Sequence, residues 1–232
     1  MKIDIPNYDC EVIEGKPRLY CTKDGKFPSV TSVLSVLSKG DNTLEKWRKR
    51  VGEEEADKIT KSSSDRGNKL HEYAELYLNN ALERSYMTGT ARLMFNRCKD
   101  YYDKIIAVAA TETVLYSKKH KYAGRVDAIV VINNRITVLD HKNSRKSFNL
   151  SMSWSRKKLF KYLLQCTAYA IAFEEMYGIR IDQGSLIIAN YDKSNAQQIL
   201  FDIDDYLRVE FLKIVGIYYG KTEKKESQYF KL

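Results

Sequence analysis

Alternation of apolar and polar positions is densest in the stretch GRVDAIVVINNRITVLDHK, which begins at Gly124. Residues 124–132 and 135–142 are rich in Val, Ile and Thr and flank the pair Asn133-Asn134. Asparagine tolerates the positive φ angles that a two-residue hairpin turn requires. The pattern therefore predicts two antiparallel strands joined at this pair.

The turn also fixes the expected register, because each further pair steps outward by one residue on both strands. Asp127 is then expected opposite Asp140, and Arg125 opposite Lys142. Side chains alternate along a strand. The four charged groups are therefore predicted to share one face at the open end of the hairpin.

Two carboxylates directly opposite each other on a sheet face repel and destabilise the pair. Protonation of one of them, compensation by Lys142 and Arg125, or a divalent metal that binds both would relieve this repulsion. Mg²⁺ is held by one or two carboxylates together with substrate phosphates. A lysine beside such an ion could orient the attacking water or stabilise charge on a phosphate.

The distribution of charge favours the metal. The chain carries a net charge of +9, and the segment from Tyr116 to Lys161 contains 12 Lys or Arg and two acids. Those two acids are Asp127 and Asp140. An acidic pair within a basic segment suits a metal-dependent enzyme that acts on a polyanion, since the cations hold phosphates and the carboxylates hold the metal.

Composition excludes several other classes. The four cysteines are far apart and form no CxxC pair, so neither an iron–sulfur cluster nor a zinc knuckle is indicated. The sequence has no run of about 18 apolar residues, and its amino end lacks the apolar core of a signal peptide. We therefore expect a cytoplasmic protein that binds no membrane.

The remaining periodicity predicts an α/β (α+β) protein with a central mixed sheet, an antiparallel three-strand meander flanked by helices, and a helical N-terminal part. The predicted elements are a small hairpin within 1–29, a helix capped by Ser29 or Thr31, helices at 43–61, 62–84 and 88–108, a strand at 111–117, a helix at 156–177 closed by Gly178, a strand at 185–191, a helix at 204–219 and a mobile tail from Lys221. We predict one domain, 1–232, with a mainly helical part (1–108), a sheet–helix core (109–192), and a C-terminal helix and tail (193–232).

Several further side chains are candidates for the same chemistry. His71 and Glu75, four residues apart, lie beside the apolar stripe of a helix, where a lone histidine is more often structural than a metal ligand. Glu112 adds an acidic group on the strand before the hairpin. Gln165 and Tyr169 share one face of the following helix and could point toward the charged end of the hairpin.

Basic and aromatic residues around the hairpin are the predicted DNA-binding residues, because cations bind phosphates and exposed aromatic rings stack on unpaired bases. They are Lys118, Lys119, Lys121, Arg125, Arg145, Lys146, Trp154, Arg156, Lys157, Lys158 and Lys161. The apolar members of the same helix, Phe160 and Leu163, could equally belong to the core.

These residues resemble the signature of the PD-(D/E)xK nucleases, in particular the RecB-like exonucleases. Asp127 followed by Asp140-His141-Lys142 is similar to the D…(D/E)xK motif. Gln165-Cys-Thr-Ala-Tyr169 is similar to the QxxxY motif, and Arg66-Gly-Asn-Lys-Leu-His71 to an upstream G…H element. The segments VTSVL from Val30 and LEKW from Leu44 also resemble the branch of mitochondrial genome maintenance exonucleases and their phage relatives.

The resemblance covers roughly residues 29–190 and implies a restriction-endonuclease-like core. It departs from the common pattern at Asp140, where many members have Glu, and at Val126, where many have Pro. DxK alone occurs by chance in many proteins, but four elements in this order and spacing are fairly specific.

The resemblance further implies hydrolysis of phosphodiester bonds in DNA with free single-stranded ends, in replication, recombination or repair. His71, Asp127, Asp140 and the backbone carbonyl of His141 would bind one or two Mg²⁺ or Mn²⁺. Lys142 would activate or position water, and Gln165 and Tyr169 would hold the scissile phosphate or Lys142. We expect a monomer in a bacterial or phage-infected cell, with replication or recombination proteins as partners. A structure-specific endonuclease, a non-catalytic nucleic-acid-binding protein and an RNA substrate remain alternatives.

Overall fold

The computed structural model describes residues 5–6, 8–38, 40–145, 147–192 and 195–220. The strands are β1 (Glu11–Ile13), β2 (Leu19–Thr22), β3 (Gly25–Pro28), β4 (Ala107–Ser117), β5 (Tyr122–Ile132), β6 (Arg135–Ser144), β7 (Gln183–Asn190) and β8 (Gln197–Asp202). The helices are α1 (Val30–Val33), α2 (Thr43–Val51), α3 (Glu53–Leu78), α4 (Gly89–Tyr102), α5 (Ser153–Tyr177) and α6 (Asp205–Tyr218), with short 3₁₀ turns at Leu34–Ser38 and Arg84–Tyr86.

Strands β4 to β8 form one five-stranded sheet in sequence order. The meander β4–β5–β6 is antiparallel, β7 runs parallel to β6, and β8 is antiparallel to β7. Helix α5 supplies the crossover that a parallel pair requires. The predicted mixed sheet with an antiparallel meander is therefore confirmed, and the fifth strand, β8, is an addition that the sequence pattern did not indicate.

The hairpin turn and its register are as predicted. Asn133 and Asn134 have φ angles of 52° and 60°, and the ladder runs from the pair Ile132–Arg135 outward to Ala128–Leu139. This ladder holds the acidic residues beyond its end at a defined position.

Apolar cores lie on both faces of the sheet. On one face α1, α5 and α6 pack against residues such as Val138, and on the other α3 and α4 pack against residues such as Leu139. Because side chains alternate along β6, the residues after Leu139 face the two cores in turn. Asp140 and Lys142 face α5, whereas His141 faces α3 and α4.

The N-terminal helices differ from the prediction at their boundaries. A break was expected before Ser62, but α3 continues through this serine run, and the break lies at Gly52, whose φ is 92°. Glycine adopts this conformation without steric strain, so it interrupts the helix more effectively than a serine does. The helix predicted at 88–108 ends at Tyr102 because β4 begins at Ala107.

The beginning of the chain forms a three-stranded antiparallel sheet, β1–β2–β3, in place of a single hairpin. Its residues Tyr20 and Phe27 pack against Tyr116 and Ala123 of the meander. The Oγ of Ser29 accepts a hydrogen bond from the backbone N–H of Ser32, as expected for the cap of α1.

Among the helices that the structure describes, none has both the length and the apolar character needed to cross a bilayer. The tail from Lys221 and the predicted DNA-binding residue Lys146 lie outside the described residues.

Candidate active site

Asp127 lies at the point in β5 where the alternation of side chains between the two faces of the sheet is interrupted. Val126 packs in the core beside α5, whereas Ala128 packs in the core beside α3 and α4. The pair Glu112–Asp127 is absent from the β4–β5 ladder, which continues in the same register on both sides of it. Glu112 has a φ of 45°. Local irregularities of this kind redirect a side chain away from the face that strict alternation assigns to it.

This change of facing corrects the prediction for Arg125. Its neighbours Gly124 and Val126 face α5, so Arg125 points to the other side and away from Lys142. Its guanidinium donates to the backbone carbonyl of Glu112 at 2.8 Å and to Asp9 at 2.7 Å. Strict alternation was the wrong assumption at this end of the strand.

The carboxylate of Asp127 replaces a backbone acceptor just beyond the last pair of the β5–β6 ladder. Its Oδ2 accepts the backbone N–H of His141 at 2.6 Å, and the ladder ends one pair earlier, at Ala128–Leu139. The Nδ1 atoms of His71 and His141 lie 3.4 Å from Oδ1 and Oδ2 of Asp127, respectively. One donor atom from each of these three residues lies within 4.8 Å of the other two.

Asp140 and Lys142 form a buried ion pair on the opposite face of β6. The Nζ of Lys142 lies 2.6 Å and 2.8 Å from the two carboxylate oxygens of Asp140, which is fully buried. Asp127 lies close to Asp140 in space, because its carboxylate accepts the backbone N–H of His141, the residue that follows Asp140. The prediction that Asp127 shares one face with Asp140 and Lys142 is therefore wrong, because Asp127 is turned toward the histidines and Asp140 toward Lys142.

The charges at the site are mutually dependent. Burial favours the neutral form of Asp127, but His71 and His141 hold the pKa of this carboxyl well below its usual value. Burial raises the pKa of Asp140 to about 6, opposed by Lys142 and assisted by Asp127. Burial lowers the pKa of Lys142, but the carboxylates of Asp140 and Asp127 raise it well above the usual lysine value. Lys142 is therefore a cation at neutral pH.

Helix α5 brings the predicted pair Gln165 and Tyr169 to this site. The amide nitrogen of Gln165 lies 3.4 Å from the hydroxyl oxygen of Tyr169. Tyr169 is buried against Gly124, where a Cβ would stand 2.9 Å from the tyrosine ring. Burial raises the pKa of the Tyr169 hydroxyl, and both acidic residues add to the shift, so the ring lies within their field.

Tyr162 is a member of the site that sequence reasoning missed. The Nζ of Lys142 lies 4.9 Å from the centre of its ring. Tyr162 precedes Gln165 by three residues and Tyr169 by seven, which is the spacing of one helical face. The same periodicity that identified the other two could therefore have identified Tyr162.

Glu112 is the further acidic group that the sequence suggested. Burial and the neighbouring Asp127 raise the pKa of its carboxyl to about 7, with His71 opposing the shift. Together with the positive φ of Glu112, this places a third carboxyl group beside Asp127 and His71.

The structure separates the predicted DNA-binding residues into two groups along α5. Trp154 and the cations from Arg156 to Lys161 occupy the first turns of this helix, on the side of Lys142 and Tyr162. The turn Lys118–Lys121 lies near its other end, since the backbone N–H of Lys119 donates to Glu175. Residues 162 and 175 of a helix are about 20 Å apart. Lys118 is also paired with Asp24 at 2.9 Å.

A close contact fixes α3, which carries His71, against the strand that carries Lys142. The amide nitrogen of Asn143 donates to the backbone carbonyl of Ser63 at 3.0 Å. At Gly67 a Cβ would stand only 2.5 Å from this same nitrogen. The glycine of the predicted G…H element therefore permits the approach of α3 to β6.

The donor set fits a divalent cation. His71, Asp127 and His141 supply imidazole and carboxylate groups whose donor atoms lie close together. Asp140, a predicted ligand, is not one of these three and is paired with Lys142. Both ring nitrogens of His141 are buried without a hydrogen-bond partner among the described residues. Unpartnered polar atoms beside carboxylates are typical of a binding position for an ion.

Comparison with known proteins finds relatives that match most of the chain. The chain is 26% identical over 218 residues to mitochondrial genome maintenance exonuclease 1 of Xenopus tropicalis, a match that covers 88% of the chain and 61% of the relative. It is 25% identical over 222 residues to the human protein of the same name, which covers 87% of the chain and 60% of the relative.

The chain is similar to mitochondrial genome maintenance exonucleases. The predicted resemblance is therefore confirmed. The chain spans about three fifths of the length of the curated relatives that it matches. No family model matches the sequence.

A solved structure of a phage-related exonuclease from Haemophilus somnus 129PT is also similar. It has a TM-score of 0.34 and 12% sequence identity, and the match covers 66% of this chain and 80% of the other. A likeness at this level says nothing about activity.

Replacement of Gly67 by Ala tests the contact between α3 and β6. Alanine gains about 1 kcal/mol of helix propensity, but its Cβ displaces Asn143 and breaks the bond to Ser63. We expect Gly67→Ala to be neutral or destabilising in the native background and stabilising by about 1 kcal/mol when Asn143→Ala is also present. Urea denaturation of the four proteins measures this coupling, and equal effects of Gly67→Ala in both backgrounds would contradict it.

Proposed function

We propose that this chain is a metal-dependent exodeoxyribonuclease of the PD-(D/E)xK type that hydrolyses phosphodiester bonds from the ends of single-stranded DNA. We infer a role in DNA replication, recombination or repair. The observation that carries the proposal is that Asp127 accepts the backbone N–H of His141, the residue between Asp140 and Lys142, while Lys142 is paired with Asp140. The similarity to mitochondrial genome maintenance exonuclease 1 supports it.

His71, Asp127, Asp140 and the backbone carbonyl of His141 are the groups that would hold the cation. A divalent cation supplies Lewis-acid polarisation of the scissile phosphate and lowers the pKa of a bound water. The chain positions these ligands rigidly, because Asp127 is fixed by the backbone of His141 and Asp140 by Lys142. Rigid placement avoids reorganisation when charge develops during the reaction.

Lys142 is suited to electrostatic stabilisation. Its ammonium is held in place by Asp140 and by the face of Tyr162, and its raised pKa keeps it charged. A charged ammonium beside the ligand residues can donate to a phosphate oxygen and orient the attacking water. Gln165, whose side chain is only partly buried, can donate to the same phosphate.

The first turns of α5 are the surface proposed to bind DNA. Trp154 exposes 50% of its surface and can stack on an unpaired base. Lys158 lies 5.8 Å from the ring of Tyr162, which also contacts Lys142, so this surface continues directly to the site. Cations here would hold the phosphates that precede or follow the scissile bond.

Substitution of Asp127 or Lys142 is the primary test of the function. We expect Asp127→Asn and Lys142→Gln each to lower metal-dependent degradation of a single-stranded oligonucleotide by about 10²-fold or more, because each removes a preorganised charge. Binding of the same oligonucleotide in EDTA should remain within about threefold of the native protein, since the α5 surface is unchanged. Gel-based digestion and fluorescence anisotropy measure the two quantities.

The matched control is Asp202→Asn, which removes an exposed carboxylate paired with Arg135 away from the site. Its activity should equal that of the native protein. Native-like cleavage by Asp127→Asn would refute the catalytic assignment. Binding without any metal-dependent cleavage by the native protein would identify a nucleic-acid-binding protein.

Dependence on a free end distinguishes an exonuclease from an endonuclease. We expect linear single-stranded DNA to be degraded and a covalently closed circle of the same sequence to remain intact. The circle offers every phosphate but no terminus, so it isolates this one requirement. Rapid nicking of the circle would favour a structure-specific endonuclease, and faster digestion of a matched RNA oligonucleotide would change the assigned substrate.

Variants of Tyr162 test whether its ring positions Lys142. Tyr162→Phe keeps the ring face and should retain activity within about twofold, whereas Tyr162→Leu removes the cation–π contact and should lower the maximal rate by about two- to thirtyfold. DNA affinity in EDTA should be unchanged in both. Equal activities of the Phe and Leu variants would show that the ring does not act on Lys142.

A further inference from the structure

The side chain of His141 occupies an unusual position. It lies between Asp140 and Lys142 in sequence, but alternation turns it to the face of the sheet that α3 and α4 cover. Its exposed fraction is 2%, and its ring lies 5.4 Å from the ring of Tyr102. The adjacent residues on this face, Leu139 and Ile187, are apolar.

An aliphatic side chain would suit these surroundings better than an imidazole. Both ring nitrogens of His141 are buried and neither makes a hydrogen bond within the described residues, and an oxygen of Asp127 lies 3.4 Å from Nδ1. Buried polar atoms without a partner destabilise a fold, so they persist where another group satisfies them. The imidazole therefore points to a ligand.

The neighbours of His141 identify the class of that ligand. Its Nδ1 lies 3.4 Å from one carboxylate oxygen of Asp127, and the Nδ1 of His71 lies 3.4 Å from the other. Donor atoms that share one ion at about 2.1 Å stand about 3.0–4.2 Å from each other. The three donor atoms, all within 4.8 Å of one another, are therefore close to the spacing that a common ion imposes.

Three separate elements carry these donors. His71 is on α3, Asp127 on β5 and His141 on β6. The two imidazole rings are inclined at 79° to each other with centroids 5.5 Å apart, and each has its Nδ1 3.4 Å from a carboxylate oxygen of Asp127. Three protein ligands of this kind leave further coordination positions for water or a phosphate oxygen.

We propose that the imidazole of His141 is a direct metal ligand together with His71 and Asp127, and that this set selects a transition-metal ion such as Mn²⁺ over Mg²⁺. Imidazole nitrogen suits first-row transition metals, whereas Mg²⁺ takes oxygen ligands almost exclusively. The inference deepens the proposed function, because it assigns the metal of the same site. Its test measures metal binding without DNA, so it is independent of nuclease activity.

The test uses the full chain, freed of metal by chelation and titrated with Mn²⁺ alone. The loss of the free Mn²⁺ signal in electron paramagnetic resonance gives the affinity, and competition gives the affinity for Mg²⁺. We expect Mn²⁺ to bind at least about tenfold more tightly than Mg²⁺. In His141→Leu, Mn²⁺ affinity should fall by about tenfold or more while Mg²⁺ affinity changes little.

His120→Ala is the matched control, since His120 lies in the turn between β4 and β5, outside this cluster. It should bind Mn²⁺ as the native protein does. An unchanged Mn²⁺ affinity in folded His141→Leu, checked by thermal unfolding, would overturn the proposal.

A second measurement requires no variant. Electron spin echo modulation of the Mn²⁺-loaded native protein should show coupling to two imidazole nitrogens. Coupling to one nitrogen or to none would overturn the assignment of His141. In that case, cleavage supported by Mg²⁺ could still establish the nuclease, with oxygen ligands at Asp127 and Asp140. Conversely, coupling to two nitrogens in a protein that does not cleave DNA would support the metal site and refute the nuclease.

Discussion

The arrangement of the site depends on one hydrogen bond, from the backbone N–H of His141 to the carboxylate of Asp127. This bond stands where the β5–β6 ladder would otherwise make its next backbone pair. A side-chain acceptor in the ladder satisfies a buried N–H, which would be destabilising if left unpaired. It also holds a negative charge at the point where the pairing of β5 with β6 ends, within reach of both faces.

The two faces of β6 then present different chemistry to Asp127. On the face of α3 lie the imidazoles of His71 and His141, and on the face of α5 lies the ion pair of Asp140 with Lys142. Burial would neutralise carboxylates that lacked partners, but His71 and His141 keep Asp127 ionised. Burial raises the pKa of Asp140 to about 6, and the neighbouring Lys142 opposes this shift.

Much of the scaffold follows from sequence pattern alone. Asn133-Asn134 fixed the register of the hairpin correctly as far as Ala128–Leu139, and the left-handed Gly178 ended α5 as expected. The change of facing at Asp127 could not be read from alternation, because it depends on an irregular partner strand with Glu112 at positive φ. The position of the His141 ring beside His71 could not be predicted either, because the sequence does not show which helices cover each face of the sheet.

The spatial distribution of charge was also beyond a count along the sequence. The basic segment appears continuous in the chain, but α5 runs through it and carries its two ends apart. At the far end Asp24 and Glu175 already engage Lys118 and the backbone of Lys119. Among the cations at the start of α5, Lys158 adjoins Lys142 through the ring of Tyr162. Under the proposed function, charge concentrated there would orient a DNA strand toward the site, which an evenly spread charge of +9 would not do.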